Sequence, residues 1–163
     1  VLADFDRFFI DNYKLDPREY EKEFGQNKFW SEIENFPGGF FRQLPKMPDA
    51  VELVEAVRHL NPIILTGAPK GSEWPRPQKE AWRDEHFPGI PMICCQSKRK
   101  STHMVNDKHN VIIDDWPKWK HIWEENGGTF ILHTSAKESI NSLRDNGFLY
   151  SSSSNESVRE RSS

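Results

Sequence analysis

Two adjacent carboxylates, Asp114 and Asp115, close the run Asn110-Val111-Ile112-Ile113. Three β-branched apolar residues in a row read as a strand buried on both faces, as in a parallel sheet. The acids then fall at its C-terminal end, where open α/β sheets place their ligands. Neighbouring carboxylates repel each other and resist desolvation, so a hard cation such as Mg²⁺ is the chemistry that keeps them together. The alternative is a strand-to-helix loop in which Asp115 caps the following helix. This stretch alone leaves both open.

Two other groups follow two other apolar runs. Thr66 and Gly67 end Pro62-Ile63-Ile64-Leu65, and Lys98, Arg99 and Lys100 follow Met92-Ile93-Cys94-Cys95. Loops after successive parallel strands share one rim, so a hydroxyl, an ammonium and carboxylates can converge there. That set suits a phosphate ester: Lys and a hydroxyl hold phosphoryl oxygens while carboxylates hold Mg²⁺. Taken singly, Thr66 also reads as a β-branched strand end and the basic run as a solvated one. His103, His109 and His133 lack metal-ligand spacing and read as surface or packing residues. The tryptophans read as core and rim, not as a base-stacking platform.

The elements that must position these groups are legible in order. Leu2, Phe5, Phe9 and Tyr13 form one helical stripe over residues 1–14. Asp16-Pro17-Arg18-Glu19 is a helix start, with Asp16 as N-cap, Pro17 at the first position and Glu19 closing a capping box. That helix stops near Gly25, and Asn27 can cap a short segment carrying Phe29, Trp30 and Ile33. Pro37-Gly38-Gly39 breaks the chain, and Phe40, Phe41 and Leu44 follow in a loop. Residues 1–47 are read as the start of the core plus a small helical cap, with an ordinary helical flank the equal alternative from pattern alone. Asp49 caps a helix bearing Val51, Val54 and Val57. Strands at 62–66, 92–95, 110–114 and 129–133 then alternate with helices near 78–86, from Pro117, and from Ser135 with its Glu138 capping box. Such alternation predicts an α/β fold with a doubly wound parallel sheet over residues 48–150. Residues 151–163 are Ser-rich and polar and read as a disordered tail.

At 163 residues the chain is one domain, or one with a small insertion. A net charge of −3 with no basic face argues against nucleic acid as a partner. No run approaches a membrane span and no secretory signal is visible, so a membrane partner is not expected. The two cysteines, Cys94 and Cys95, are adjacent, and neighbouring strand positions point to opposite faces. Two reduced thiols and an intracellular, cytoplasmic protein are expected.

At these residues the chain resembles the haloacid dehalogenase superfamily of phosphotransferases. Ile63-Ile64-Leu65-Thr66-Gly67 is similar to the family's second motif, an apolar strand ending in Thr or Ser. Ser97-Lys98-Arg99-Lys100-Ser101 looks like the third, which points to Lys100. Ile112-Ile113-Asp114-Asp115 is similar to the fourth, an apolar strand ending in paired acids. Phe40-Phe41-Arg42-Gln43-Leu44-Pro45 through Ala50-Val51 resembles a stretch of the 5'(3')-deoxyribonucleotidase branch that returns from the cap to the core. The likeness covers roughly residues 1–145.

The resemblance implies a Mg²⁺-dependent phosphatase, or 5'-nucleotidase-like hydrolase, with a Rossmann-like core. Its substrate would be a small phosphate ester such as a deoxynucleotide, hydrolysed through an aspartyl-phosphate. Thr66 and Lys100 would be catalytic, and Asp114 and Asp115 would hold the metal. Gly67, Phe40, Phe41 and Trp30 would contact substrate. The family's first motif, Asp-x-Asp-Gly-[Thr/Val], supplies the nucleophile and the acid–base, and here the sequence departs. Asp4-Phe5-Asp6 is followed by Arg7 and Phe8, where Gly and then Thr or Val are expected, and only three residues precede Asp4. Val1-Leu2-Ala3-Asp4-Phe5 fits better as the stretch after that motif, which puts both catalytic Asp residues upstream of Val1. On that register a gap is expected between the strand ending at Thr66 and the strand ending at Asp114, and the chain itself should not turn over. A strand over residues 1–4 filling the gap would instead make Asp4 and Asp6 the catalytic pair. Two rival readings remain. One is a non-catalytic phosphate- or nucleotide-binding domain of the same fold. The other is a phosphorelay receiver, which argues less well because receivers place the paired acids first and Lys last.

Overall fold

The computed structural model describes residues 1–150. The tail expected over 151–163 lies outside the described residues. The fold is mixed α/β. Strand β1 (Ile64–Gly67) pairs in parallel with β2 (Met92–Cys95), and β3 (Val111–Asp114) pairs in parallel with β4 (Thr129–Leu132). Ile64 stands opposite Met92 and Gly67 opposite Cys95; Val111 stands opposite Thr129 and Asp114 opposite Leu132. The two pairs are separate two-stranded sheets, so the described residues form no continuous doubly wound sheet. Every residue of β1, β2 and β3 is only half-buried. Apolar parallel strands normally have both faces covered. For β1 and β3 the exposure follows from a cleft of about 800 Å³ that opens between them.

The N-terminal third is helical, as expected, with shifted boundaries. Helix α1 runs Phe5–Tyr13, because Asp4 caps it by accepting from the Arg7 amide at 3.2 Å. Residues 1–4 are extended, not helical. Ala3 forms an isolated antiparallel bridge with Lys46, and the Asp4 amide donates to the Pro45 carbonyl at 2.8 Å. Helix α2 (Pro17–Phe24) starts as the sequence indicates, with Asp16 accepting from the Arg18 and Glu19 amides. Helix α3 (Gln26–Glu34) begins one residue before Asn27, with Gly25 rather than Asn27 at its N-cap position. Gly25 serves both helices because its φ of 90° lets the chain reverse there.

These helices share one aromatic core. Phe9 and Phe40 are fully buried, with Phe29, Tyr20 and Phe41 around them. Phe9 meets Tyr20 edge-on at 5.3 Å and Phe40 meets Phe8 at 5.0 Å, geometries favoured by the ring quadrupoles. The same core includes Trp82 of α5 (Pro75–His86), the helix joining β1 to β2. Two hydrogen bonds fasten the 3₁₀ turn Phe41–Gln43 and its flank to that helix. The Phe41 amide donates to Gln78 Oε1 at 3.0 Å, and Trp82 Nε1 donates to the Leu44 carbonyl at 2.8 Å. Helix α5 starts three residues before the expected position, since Pro75 and Pro77 are tolerated in a first turn that has no amide partners to lose.

Helix α4 (Ala50–Val57) and helix α7 (Ala136–Asp145) pack against each other around Leu53, Ala136 and Ile140. Asp49 does not cap α4 as its position suggests. Its carboxylate instead accepts from the Ala136 amide at 2.7 Å, at the start of α7. Ser135 caps the same helix through the Glu138 amide, as expected. Pro117 opens a 3₁₀ turn, Pro117–Trp119, that leads into α6 (Lys120–Glu125). His133 is a packing residue, bonded to Ser139 at 2.7 Å, and burial pushes its pKa down. No described helix is long and apolar enough to cross a membrane.

Candidate functional site

The C-terminal ends of β1, β2 and β3 meet at one rim of the cleft. The residues after β2 form a 3₁₀ turn, Ser97–His103, tightened by Thr102 Oγ1 donating to the Arg99 carbonyl at 2.7 Å. The tight winding splits the basic run. Lys98 and Arg99 face solvent, while Lys100 turns inward and its ammonium sits 2.8 Å from Asp114 Oδ2. Both partners are mostly shielded, at 15% and 16% side-chain exposure. The other oxygen of Asp114 accepts from the Trp116 amide at 3.1 Å. Asp115 is 63% exposed. It makes no helix cap; the amide bond that opens the next turn goes to Asp114.

Across the rim, the Thr66 hydroxyl accepts from Lys79 Nζ at 3.1 Å, and the same ammonium donates to the Gly67 carbonyl at 2.6 Å. Lys79 also sits 4.6 Å from the Phe41 ring centre. Burial is the main cause that lowers its pKa to about 8, with the nearby Lys100 charge acting in the same direction. Burial likewise raises the Cys95 thiol, which Lys100 partly offsets, and both cysteines are free. A β-carbon at Gly67 would run into the Ser97 hydroxyl, which would have to turn aside.

Thr66, Gly67, Lys100, Asp114, Asp115 and Phe41 thus all line one cleft, with Lys79 among them. Compared with known protein families and with curated proteins, the sequence matches none. What the site can do therefore rests on its own geometry.

Not every residue singled out in the sequence reaches this cleft. Phe40 is sealed in the aromatic core, and Trp30 packs edge-on against Phe29 at 5.3 Å. Neither lines the cleft, and for Phe40 the reason is that the turn presenting Phe41 points its neighbour inward. Asp4 is committed to capping α1, and Asp6 pairs with Arg18 at 3.2 Å. Residues 1–4 run alongside residues 45–47 and form no strand between β1 and β3.

Lys79 does not stand out in the sequence. It lies in a helix rich in charged residues, and only the fold shows that it points under the end of β1. One faint signal exists: it follows Thr66 by 13 residues on the helix that immediately succeeds the strand.

Asp114 and Asp115 offer oxygen donors alone, the hard set that Mg²⁺ takes. Mg²⁺ commonly uses one or two carboxylates and completes its shell with water and substrate phosphate. Both Asp114 oxygens are engaged here, by Lys100 and by the Trp116 amide, so an ion on Asp114 would have to displace Lys100. Lys79, Lys100 and the Thr66 hydroxyl line the same cleft, groups suited to a dianionic ligand.

Proposed function

We propose that this chain carries the phosphate-holding and metal-holding parts of a Mg²⁺-dependent phosphatase of the haloacid dehalogenase type. The substrate is a nucleotide or a similar small phosphomonoester, hydrolysed through an aspartyl-phosphate, on a doubly wound sheet to which β1–β2 and β3–β4 belong. The observation that carries the reading is the convergence of Thr66, Lys100 and Asp114 on one rim, each from a different strand end.

In this reading Thr66 donates its hydroxyl proton to a phosphoryl oxygen. Lys100 offsets negative charge between phosphate and Asp114, and Lys79 adds a second cation behind Thr66. Asp114 and Asp115 hold Mg²⁺, which when bound neutralises charge building on the phosphoryl group. Such preorganised charges act strongly in a half-buried site because they need no reorganisation during reaction. Phe41, stacked at 5.6 Å on Trp74, offers an aromatic wall to a base or other flat group.

A second reading is a phosphate- or nucleotide-binding domain without hydrolysis. The engagement of Asp4 and Asp6 away from the cleft favours it for residues 1–150. The two are separated by titrating the protein with inorganic phosphate and Mg²⁺ in a calorimeter, alongside turnover of p-nitrophenyl phosphate. Saturable phosphate binding that Thr66→Val and Lys100→Ala weaken supports both readings. Binding without turnover selects the second for this chain. Turnover abolished by Asp4→Asn assigns the nucleophile to Asp4. Absence of phosphate binding at millimolar concentration overturns both.

A further inference from the structure

Two of the six tryptophans are placed unlike the rest. Trp82 and Trp123 are buried and donate their indole N–H groups to the carbonyls of Leu44 and Thr129. Trp30 and Trp74 pack on Phe29 and Phe41. Trp116 is 50% exposed, and among the described residues its ring meets no other aromatic ring and its N–H no acceptor. Trp119 is half-buried, with His121 6.3 Å away and its own N–H unbonded among the same residues. A large ring left in water without a partner is the informative kind of exposure. The turn Pro117–Trp119 sets Lys118 between the two rings, its ammonium 5.3 Å from the centre of Trp116 and 5.2 Å from that of Trp119. One cation thus steadies both indoles by facing their π-systems.

Charge around these rings differs from that of the whole chain. Residues 97–121 hold six Lys and Arg against three Asp, while the chain as a whole stands at −3. The fold brings the two ends of that segment together. The turn Ser97–His103 packs on α6, and Ser97, Lys98 and Ser101 share a crevice with Trp116 and Trp119. Among the described residues Lys98 and Lys118 pair with no carboxylate, and Glu124 is held by Lys120 at 3.6 Å. Asp115, exposed and next to Trp116 in the chain, is the acid that borders this surface. The crevice is about 20 Å³, too small to admit a ring. A ligand therefore lies across the surface, against ring faces, rather than inside a pocket.

We propose that Trp116, Lys118 and Trp119, with Lys98 beside them, form a docking surface for single-stranded nucleic acid. Bases stack on the two indoles, and the ammonium groups meet the phosphates that link them. Aromatic faces beside cations are how sequence-tolerant single-strand sites work. A duplex keeps its bases stacked on one another and has few faces to offer. A membrane fits less well, because insertion needs a continuous apolar face. Here the rings are divided by an ammonium and flanked by Lys120 and Asp115. The surface requires neither a terminal phosphate nor Mg²⁺, so it is separate from the chemistry of the cleft.

The test uses the whole chain and an oligothymidylate of about ten residues, within the usual span of such sites, with hydroxyls at both ends. Calorimetry reads affinity, and NMR of the indole N–H signals reads the place. The Trp116 and Trp119 signals are expected to shift, while those of Trp82 and Trp123, held on carbonyls, stay. Trp116→Ala and Trp119→Ala should each weaken binding about fivefold or more, the least that loss of one stacking ring brings. Trp116→Phe, which keeps a ring, should recover much of it, and thermal melts check that each variant folds. Lys118→Met should weaken binding and flatten its salt dependence, by about 0.7 in logarithmic slope for one phosphate contact. Inorganic phosphate with Mg²⁺ should not compete, so the outcome stands whether or not the cleft hydrolyses phosphate esters. Unmoved indole signals at millimolar oligonucleotide overturn the proposal. Affinity that survives both alanine substitutions overturns it, as does equal affinity for a duplex of the same length. Blue-shifted tryptophan emission on phosphatidylserine vesicles, with no response to oligonucleotide, overturns it in favour of a membrane surface.

Discussion

Lys100 and Asp114 close on each other across the rim at 2.8 Å, one from the turn after β2 and the other from the end of β3. With both side chains about one-sixth exposed, the pair is shielded enough that either partner alone would be left poorly solvated. Lys100→Ala should therefore destabilise the fold by about 1–3 kcal/mol, the range for stranding a hydrogen-bonded group. Urea titration reads this directly. For the metal, Asp114→Ala should abolish Mg²⁺ binding measured by calorimetry; if binding persists unchanged, the ion is not held there. Lys100→Ala frees Asp114 Oδ2 and should tighten Mg²⁺ binding in the absence of phosphate.

Gly67 and Ser97 tie the end of β1 to the turn that carries Lys100. A β-carbon on Gly67 would overlap the Ser97 hydroxyl, while the Ser97 β-carbon stays at an ordinary 3.6 Å. Gly67→Ala should cost about 1 kcal/mol, because the Ser97 hydroxyl has to leave its place to make room. Adding Ser97→Ala removes the colliding oxygen and should restore most of that loss. Thermal melts of the two single variants and the double variant test the pair. Strict additivity would mean that the strain lies elsewhere.

The strands are plain in the sequence and the helix ends less so, for identifiable reasons. Runs such as Val111-Ile112-Ile113 leave few alternatives to a strand, and β2 occupies the expected residues 92–95. The start of α5 is obscured because Pro75 and Pro77 read as breakers, although a first helical turn accepts them. The site is legible where chemistry sits at strand ends, as with Thr66, Lys100 and Asp114. Lys79 is not, because nothing local distinguishes a lysine aimed under a neighbouring strand from one in water. Phe40 and Phe41 show the same limit: adjacent identical residues have one ring in the core and one on the cleft, a choice made by how the turn docks on Gln78.

Asp49 illustrates how tertiary structure can redirect a capping residue. By position it begins α4, yet its carboxylate serves the α7 amide of Ala136, 87 residues away, at 2.7 Å. It therefore pins together two helices that share Leu53 and Ile140. Asp49→Ala should cost about 1 kcal/mol or somewhat more, as loss of an N-cap does. Asp49→Asn, which retains an acceptor oxygen, should recover much of it. Chemical denaturation distinguishes the two. Ser135→Ala removes the neighbouring cap on the same helix, so the double variant should fall short of additivity if the two caps steady one end jointly.

The pH dependence follows from Lys79. Burial, aided by Lys100, lowers its pKa in the folded protein to about 8, against an ordinary value of 10.5. Below pH 8 the ammonium is charged in both folded and unfolded chains, so the folded state bears the full penalty of holding it. Between about pH 8 and 10.5 the unfolded chain binds more protons than the folded one, and the penalty is relieved as pH rises. Its size is about 3 kcal/mol, since a tenfold change in proton affinity is worth about 1.4 kcal/mol. Lys79→Met removes the titration, so the stability of the wild type relative to this variant should rise across that window and level off above it. A dianion in the cleft should reverse the effect by stabilising the ammonium. Phosphate binding at pH 8.5 should then take up protons, visible as a binding enthalpy that changes with the ionisation enthalpy of the buffer. Lys79→Met should abolish that buffer dependence even where some phosphate affinity remains. A buffer-independent enthalpy in the wild type would show that the anion settles out of reach of Lys79.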